Sequence, residues 1–413
     1  MTRFRCAVSL PELHDERVDT STLLGPEVVD LFEAVLSEAG AVVHTIAPRQ
    51  ATYLPGRSLT VRYDVTVAWP GLGSRTEWFV ASVGGRTPED AIVVEKESQR
   101  VTIWRVPHDP HLPGLALALE PHSVIRLLAE LGVEVADATT RMRAYRPGRR
   151  AVVEVTAPGA RLFVKVVRPR AVEALQHRHA LLSGHVPVPQ SLGWSDTYGM
   201  VALQAIGGRT LREVIGSGQG LPGPGALVAM LDALPDAGAS APVRSSWQTE
   251  RFATLIGAAV PGLRGRVENL ARALADIEAE LEPDLVPVHG DFHEAQLLVD
   301  GGHITGLLDV DTFGTGSRTN DLATMIGHLS TLACTSTRRR DVGRYAQRVL
   351  DVADRLVDPR RLRAAISAVV LGLATGPFRV LEPQWPRNTA RRVQLAEQWL
   401  ASARRGRTLS LST

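Results

Sequence analysis

The chain has 413 residues, 44% hydrophobic and 22% charged, so it can bury a sizeable core and reads as globular rather than disordered. Its 46 basic residues are balanced by 44 acidic ones, a net charge of +2, which argues against nucleic acid as the main partner. The two cysteines, Cys6 and Cys334, are too few and too far apart for a disulfide framework or a zinc site.

The length predicts roughly two to three domains. Residues 1–6 lack the apolar stretch of a signal peptide, and the most apolar run, 364–374, is too short to span a bilayer. The expectation is a cytoplasmic protein with no membrane partner.

In chain order, residues 1–125 read as a small α+β unit. Val28, Val29, Leu31, Phe32, Val35 and Leu36 give helical spacing over 27–39. Residues 58–68 alternate through Leu59, Val61, Tyr63, Val65 and Val67, which predicts a strand. A second strand is expected over 76–83, after the turn Pro70-Gly71-Leu72-Gly73, and two more at Val93-Val94 and 101–106. Three prolines within 107–114 end the unit. A helix is expected over 121–131, then strands over 140–155 and 161–167 around Pro158-Gly159. Residues 170–183 read as a helix stopped by Pro187-Val188-Pro189, and 199–205 as an apolar strand. From Thr210 the pattern is mostly helical, and 406–413 reads as a frayed tail.

There is a weak internal repeat. Tyr53-Leu54-Pro55-Gly56-Arg57-Ser58 parallels Tyr145-Arg146-Pro147-Gly148-Arg149-Arg150, and each leads into a β-branched run and a second strand. Either the first unit is a degenerate copy of the second, with Ala81 at the position of Lys165, or two hairpins share a common turn sequence.

The chemistry concentrates in Val288-His289-Gly290-Asp291-Phe292-His293-Glu294-Ala295-Gln296 and Leu307-Leu308-Asp309-Val310-Asp311. Phosphoryl transfer needs a base to orient a hydroxyl and hard oxygen ligands to hold magnesium against phosphates. Asp291 fits the first role; Gln296 and Asp309 fit the second. Singly, Asp291 can cap a turn and Asp309 can end a hairpin, but the joint spacing favours chemistry. Lys165, alternating with apolar neighbours in Phe163-Val164-Lys165-Val166, can reach phosphates as a point charge, although lysines on edge strands often face solvent. No Gly-x-Gly-x-x-Gly cradle or P-loop occurs. The turn over 145–151 has Gly148 alone, and Arg149 and Arg150 there either touch phosphates or form a solvated turn. His293 and Glu294 lack partners at metal-binding spacing. Trp385 and Trp399 read as buried aromatics of a helical lobe in preference to sugar-stacking platforms.

These residues resemble the aminoglycoside phosphotransferase and choline kinase group, distant relatives of protein kinases, whose loop reads His-Gly-Asp-x-His-x-x-Asn and whose later strand ends in Ile-Asp-x-Asp. The stretch Gly314-Thr315-Gly316-Ser317-Arg318-Thr319-Asn320-Asp321-Leu322-Ala323 is similar to that group's Gly-x-Gly-Asp-x-x-x-Asp-Leu-Ala. The resemblance covers about residues 140–400. It implies an α+β, bilobal protein-kinase-like fold, with a β-rich nucleotide lobe over 126–205, a helical lobe over 206–413, and residues 1–125 as an added cap beside the small lobe. It also implies ATP and Mg2+, Asp291 as catalytic base, Gln296 and Asp309 on the metal, and Lys165 and Arg149 near the phosphates. Gln204 and Ala205 would lie at the hinge, where adenine meets backbone groups. Asp321 would cap the helix after it. The group pairs its lysine with a Glu on the next helix; that register falls near Leu175-Gln176, and Glu173 is the nearest Glu.

Gln296 stands where the group has Asn, which moves the amide by about 1.5 Å. Maltokinase and related glucosamine kinases are similar in having Gln there and an amino-terminal cap, but their metal strand reads Asp-Phe-Glu-Gly-Glu-Pro against Asp309-Val310-Asp311-Thr312-Phe313-Gly314 here. The implied reaction is transfer of the γ-phosphoryl group of ATP to a hydroxyl of a sugar or amino sugar. An aminoglycoside-modifying kinase and a catalytically silent kinase fold are the alternatives. The basic runs Arg338-Arg339-Arg340, Arg360-Arg361 and Arg391-Arg392 weigh mildly against a polycationic acceptor.

Overall fold

The computed structural model describes residues 20–84, 87, 91–96, 99–238, 243–244, 247–280 and 285–405; residues 1–6, with Cys6, and the 406–413 tail lie outside them. Two five-stranded antiparallel sheets come first. Strands β1 (Val42–Leu54), β2 (Ser58–Trp69), β3 (Gly73–Gly84), β4 (Ile92–Lys96) and β5 (Gln99–Arg105) lie in the order β1-β2-β3-β5-β4. Strands β6 (Thr139–Arg146), β7 (Arg150–Ala157), β8 (Ala160–Val167), β9 (Ser191–Ser195) and β10 (Met200–Gln204) lie in the order β6-β7-β8-β10-β9. The two orders are the same, position for position.

The ladders align the two sheets residue by residue. Leu54 faces Ser58 across the first Pro-Gly-Arg turn, and Arg146 faces Arg150 across the second. Counting from those turns, Thr60 opposite Ser82 matches Val152 opposite Lys165. Ser82 therefore occupies the lysine's place, not Ala81 as the sequence reading had it. One residue of register exchanges the faces of a strand, and Ala81 points into the core.

Strand β1 was not anticipated. It is an edge strand whose register shifts at Val43/Thr45 and again at Pro48/Gln50, so its alternation is broken in sequence. Proline is tolerated at such a place because an edge bulge needs no ladder N–H. The expected strand over 140–155 is two strands, because Pro147-Gly148 forms a turn with Gly148 at φ 63.

The first sheet touches both later parts of the chain, whereas the sequence reading set it beside the small lobe. On one face Tyr63 and Phe79 pack on Phe32 of the helix Val28–Ser37, in a core that also takes in Phe378, Leu381 and Trp385. From the other face Val80 and Trp104 join the core of the second sheet, with the helices Gly114–Leu119 and Pro121–Glu130. Beyond β10 the chain is mainly helical. Arg318–Thr335, Arg339–Ala353, Pro359–Leu373 and Trp385–Arg405 surround the largest core. Trp385 and Trp399 are buried in these cores and offer no platform to a ligand. Two small sheets interrupt the helices and carry the motif loops. A β-rich lobe followed by a helical lobe is the α+β bilobal arrangement that the motif implied. Among the described residues, no helix is long and apolar enough to cross a membrane.

Candidate active site

The short strand Val286–Val288 delivers His289, Gly290 and Asp291. Asp321, in the first turn of the helix Arg318–Thr335, accepts the His289 N–H at 2.8 Å and the Gly290 N–H at 2.8 Å. Expected to cap that helix, it anchors the motif loop instead; the helix starts at Ser317 with no side-chain cap. Burial pushes the Asp321 carboxyl up from its ordinary value, against the pull of His289 and the two amides. Gly290 has φ +79, and a Cβ there would meet Thr312 O at 2.7 Å, so the turn demands glycine. Thr312 Oγ1 donates to His289 O at 2.9 Å, and His289 Nε2 lies 3.0 Å from Leu308 O. With its backbone pinned on three sides, Asp291 projects a half-exposed carboxylate into a cleft.

The strand His303–Leu307 leads to Asp309, which sits at φ 56 and ψ 54 in the left-handed region that Asp tolerates better than most residues. This turn sets Asp309 and Asp311 side by side. Arg150 grips Asp309 bidentately at 2.8 and 2.9 Å and reaches Asp311 at 2.8 Å. Lys165 Nζ donates to Asp309 at 2.8 Å and also to Asp311. Burial opposes ionisation of Asp309, but Lys165 and Arg150 outweigh it and hold the carboxyl well below the usual range.

The lysine's partners are thus the two aspartates, not a helix Glu. Glu173 is exposed on the helix Val172–Leu182. The inward residue of that helix within electrostatic reach of Lys165 is His179, whose Nδ1 lies 3.0 Å from Pro189 O. Burial, and then the charge of Lys165, lower its pKa to about 4, so it is neutral at pH 7.

The β6–β7 turn is tied down rather than open. The Gly148 N–H donates to Asp109 Oδ2 at 2.7 Å, and the Tyr145 hydroxyl donates to the same oxygen at 2.8 Å. Side chains at this turn, chiefly Arg149 and Arg150, are therefore what it offers to an anion. At the end of β10, the Gln204 N–H donates to Gln190 O at 2.9 Å and the Ala205 N–H to Arg161 O at 3.3 Å. Sheet-edge pairing engages both expected hinge amides within the protein. The Gln296 carboxamide lies 3.2 Å from His293 Nε2, and Asp309 and Asp311 share the Arg150 guanidinium and the Lys165 ammonium.

His328, from the helix Arg318–Thr335, stacks on His293 with centroids 4.0 Å apart. Both Nδ1 atoms approach Glu294 Oε2, at 3.6 Å from His328 and 3.7 Å from His293. Burial, and then His293, lower His328 to about 4, which leaves it neutral. Burial opposes the Glu294 charge, yet the histidines and Arg212, at 2.8 Å from its other oxygen, hold it to about 2. Nothing in the sequence spacing marks His328, His179 or Asp109 as partners of this site, since each arrives from a separate element.

The cleft has a volume of about 740 Å³. Its floor holds Asp291, Asp309 and Asp311. Arg146, Arg149, Arg150, Arg168, Arg170 and Arg251 line its sides, and of these only Arg150 makes an ion pair among the described residues. Burial and mutual repulsion lower the pKa of Arg146 and Arg149.

The profile of the phosphotransferase enzyme family (APH) matches residues 141–365, more than half of the chain. The chain belongs to the phosphotransferase enzyme family. Among solved structures it is similar to a thermostable mutant of aminoglycoside phosphotransferase APH(4)-Ia in a ternary complex with ADP and hygromycin B, at 15% identity and a TM-score of 0.48, over 68% of this chain and 98% of that one. It is also similar to the gentamicin–APH(2″)-IIa complex, at 13% identity and a TM-score of 0.47, over 67% and 97%. No curated protein sequence matches the chain.

Proposed function

We propose that this protein transfers the γ-phosphoryl group of ATP to a hydroxyl of a small molecule, a sugar or amino sugar. The observation that carries the proposal is the convergence of Asp291, Asp309 and Asp311 on one cleft floor beneath Lys165 and the arginines of the β6–β7 turn. Asp291, free of strong partners and half-exposed, accepts or orients the proton of the attacking hydroxyl. Asp309 and Asp311 are adjacent carboxylates whose hard oxygen donors fit magnesium, and Gln296 adds an amide oxygen on turning from His293. Mg2+ bound there supplies charge neutralisation on the β- and γ-phosphates. Lys165, Arg149 and Arg150 hold phosphate oxygens, and Arg150 exchanges its aspartates for phosphate as the nucleotide enters. Gln204 and Ala205 bound the adenine end.

In this reading residues 126–205 bind nucleotide, 206–413 carry catalysis, and 1–125 form a cap over the cleft. Six arginines against three aspartates disfavour a polycationic aminoglycoside. The ion-paired Lys165, Asp309 and Asp311 set disfavours a silent fold. The test is ATP consumption over sugars, amino sugars and aminoglycosides, with a thermal-shift measurement of Mg–ATP binding. Turnover of aminoglycosides alone overturns the acceptor; no Mg–ATP binding overturns the kinase.

A further inference from the structure

We propose that the first sheet is the acceptor wall of this cleft, and that the acceptor is a polyhydroxylated anion, a sugar acid or sugar phosphate. This deepens the phosphotransferase reading and rests on it. Four hydroxyl side chains stand in one row across four neighbouring strands. Thr52 pairs with Thr60, Thr60 with Ser82, and Ser82 with Thr102. All four line the cleft that holds Asp291.

The equivalent row of the second sheet is Ala144, Val152, Lys165 and Val201, paired in the same succession. That row is apolar around a single lysine. Its counterpart has kept the ladder and carries a hydroxyl at every position, with Ser82 in the place of the lysine. A row without a cation offers a triphosphate no charge partner. A line of hydroxyls on neighbouring strands offers donors and acceptors of the kind a sugar needs. Thr60 Oγ1 and Ser82 Oγ are 2.8 Å apart and Thr102 Oγ1 donates to Ser82 O at 3.3 Å, so the row is ordered before any ligand arrives.

The charge of the acceptor follows from the arginines. Lys165 and Arg150 are matched by Asp309 and Asp311. Arg146, Arg149, Arg168, Arg170 and Arg251 have no ion-pair partner among the described residues, and Asp291 is the one carboxylate left in the lining. Mg–ATP removes only part of this excess, because the metal cancels much of the triphosphate charge. Arg146 and Arg149 belong to the phosphate turn. Arg170 lies beyond the end of β8, and Arg251 comes from the helix Thr249–Ala259 of the helical lobe. These two are available to an anionic group seated against the hydroxyl row, and such a pair gives charge-assisted hydrogen bonds. Rows of threonine also steady a sheet by themselves, and the experiment separates that role from binding.

Calorimetry on the full chain with Mg and a non-hydrolysable ATP analogue tests the proposal, with glucose 6-phosphate, glucuronate, glucose and kanamycin as probes. The expected result is that one of the two acidic probes binds at least tenfold more tightly than glucose, while kanamycin does not bind; which one binds distinguishes phosphate from carboxylate. In the isosteric variants Thr60→Val and Thr102→Val, and in Arg251→Ala, its Kd rises fivefold or more while nucleotide Kd stays within twofold. Equal probe affinity in wild type and all three variants overturns the proposal. So does a wild type that binds the nucleotide and neither acidic probe. Failure to bind the nucleotide at all instead removes the kinase reading beneath it.

Discussion

Replacing Asp321 with alanine tests how the motif loop is held. Asp321 is 1% exposed and its two oxygens each accept one loop amide at 2.8 Å. Its removal leaves the buried His289 N–H unpaired and takes the acceptor from the more exposed Gly290 N–H. A hydrogen bond to a charged acceptor contributes about 1.5–3 kcal/mol. The burial cost of the carboxylate offsets part of the pair, so the loss is expected at roughly 2–4 kcal/mol, a large share of the roughly 5–15 kcal/mol of a folded domain. Asp321→Asn keeps one acceptor oxygen and turns an NH2 toward the second amide, so about half of the loss is expected. Urea unfolding followed by tryptophan fluorescence gives both values. Turnover should fall with them, because Asp291 directly follows the two anchored amides. A loss below about 1 kcal/mol in Asp321→Ala would show that Thr312 and the Leu308 carbonyl hold the loop without it.

Asp291→Asn should lower kcat by about 10²–10⁴ and leave Mg–ATP affinity within a few fold; steady-state kinetics beside nucleotide titration decide it, and loss of binding in place of turnover contradicts the base role. Asp309→Ala should abolish magnesium-dependent nucleotide binding, checked by titrating ATP with and without the metal; unchanged binding removes Asp309 from the site. Gly290→Ala forces a Cβ to 2.7 Å from Thr312 O at a positive φ, and should cost about 1–3 kcal/mol by urea unfolding. His179, held at about 4 in the fold against about 6.5 when unfolded, is neutral in the native state. The unfolded chain therefore binds the extra proton between those values, and stability should fall as pH drops from 6.5 to 4, by up to roughly 3 kcal/mol. His179→Gln should flatten that slope in a Tm-versus-pH series; an identical slope contradicts the neutral buried imidazole.

The strand β2 and the helix Val28–Ser37 were legible in sequence because each has one buried face, and burial on one face writes a period of two or 3.6 into the chain. The edge strand β1 was not legible, because the bulge at Pro48/Gln50 resets that period midway. In the same way, Asp291 and Asp309 were visible because one local turn and one hairpin fix their spacing. Their surroundings were not visible. That Lys165 meets Asp309 and Asp311, that His179 stands on the helix where a Glu was sought, and that Asp321 anchors a loop follow from elements up to 146 residues apart in sequence.

The sequence by itself determined the phosphotransferase motif and the β-then-helical order of the lobes, both of which are local patterns. Only the tertiary structure decided that the first sheet repeats the strand order of the second, that Ser82 replaces the lysine, and that a row of hydroxyls lines the cleft of Asp291, Asp309 and Asp311. Register and the packing of one sheet over another's cleft depend on contacts between distant segments, and no window of sequence records them.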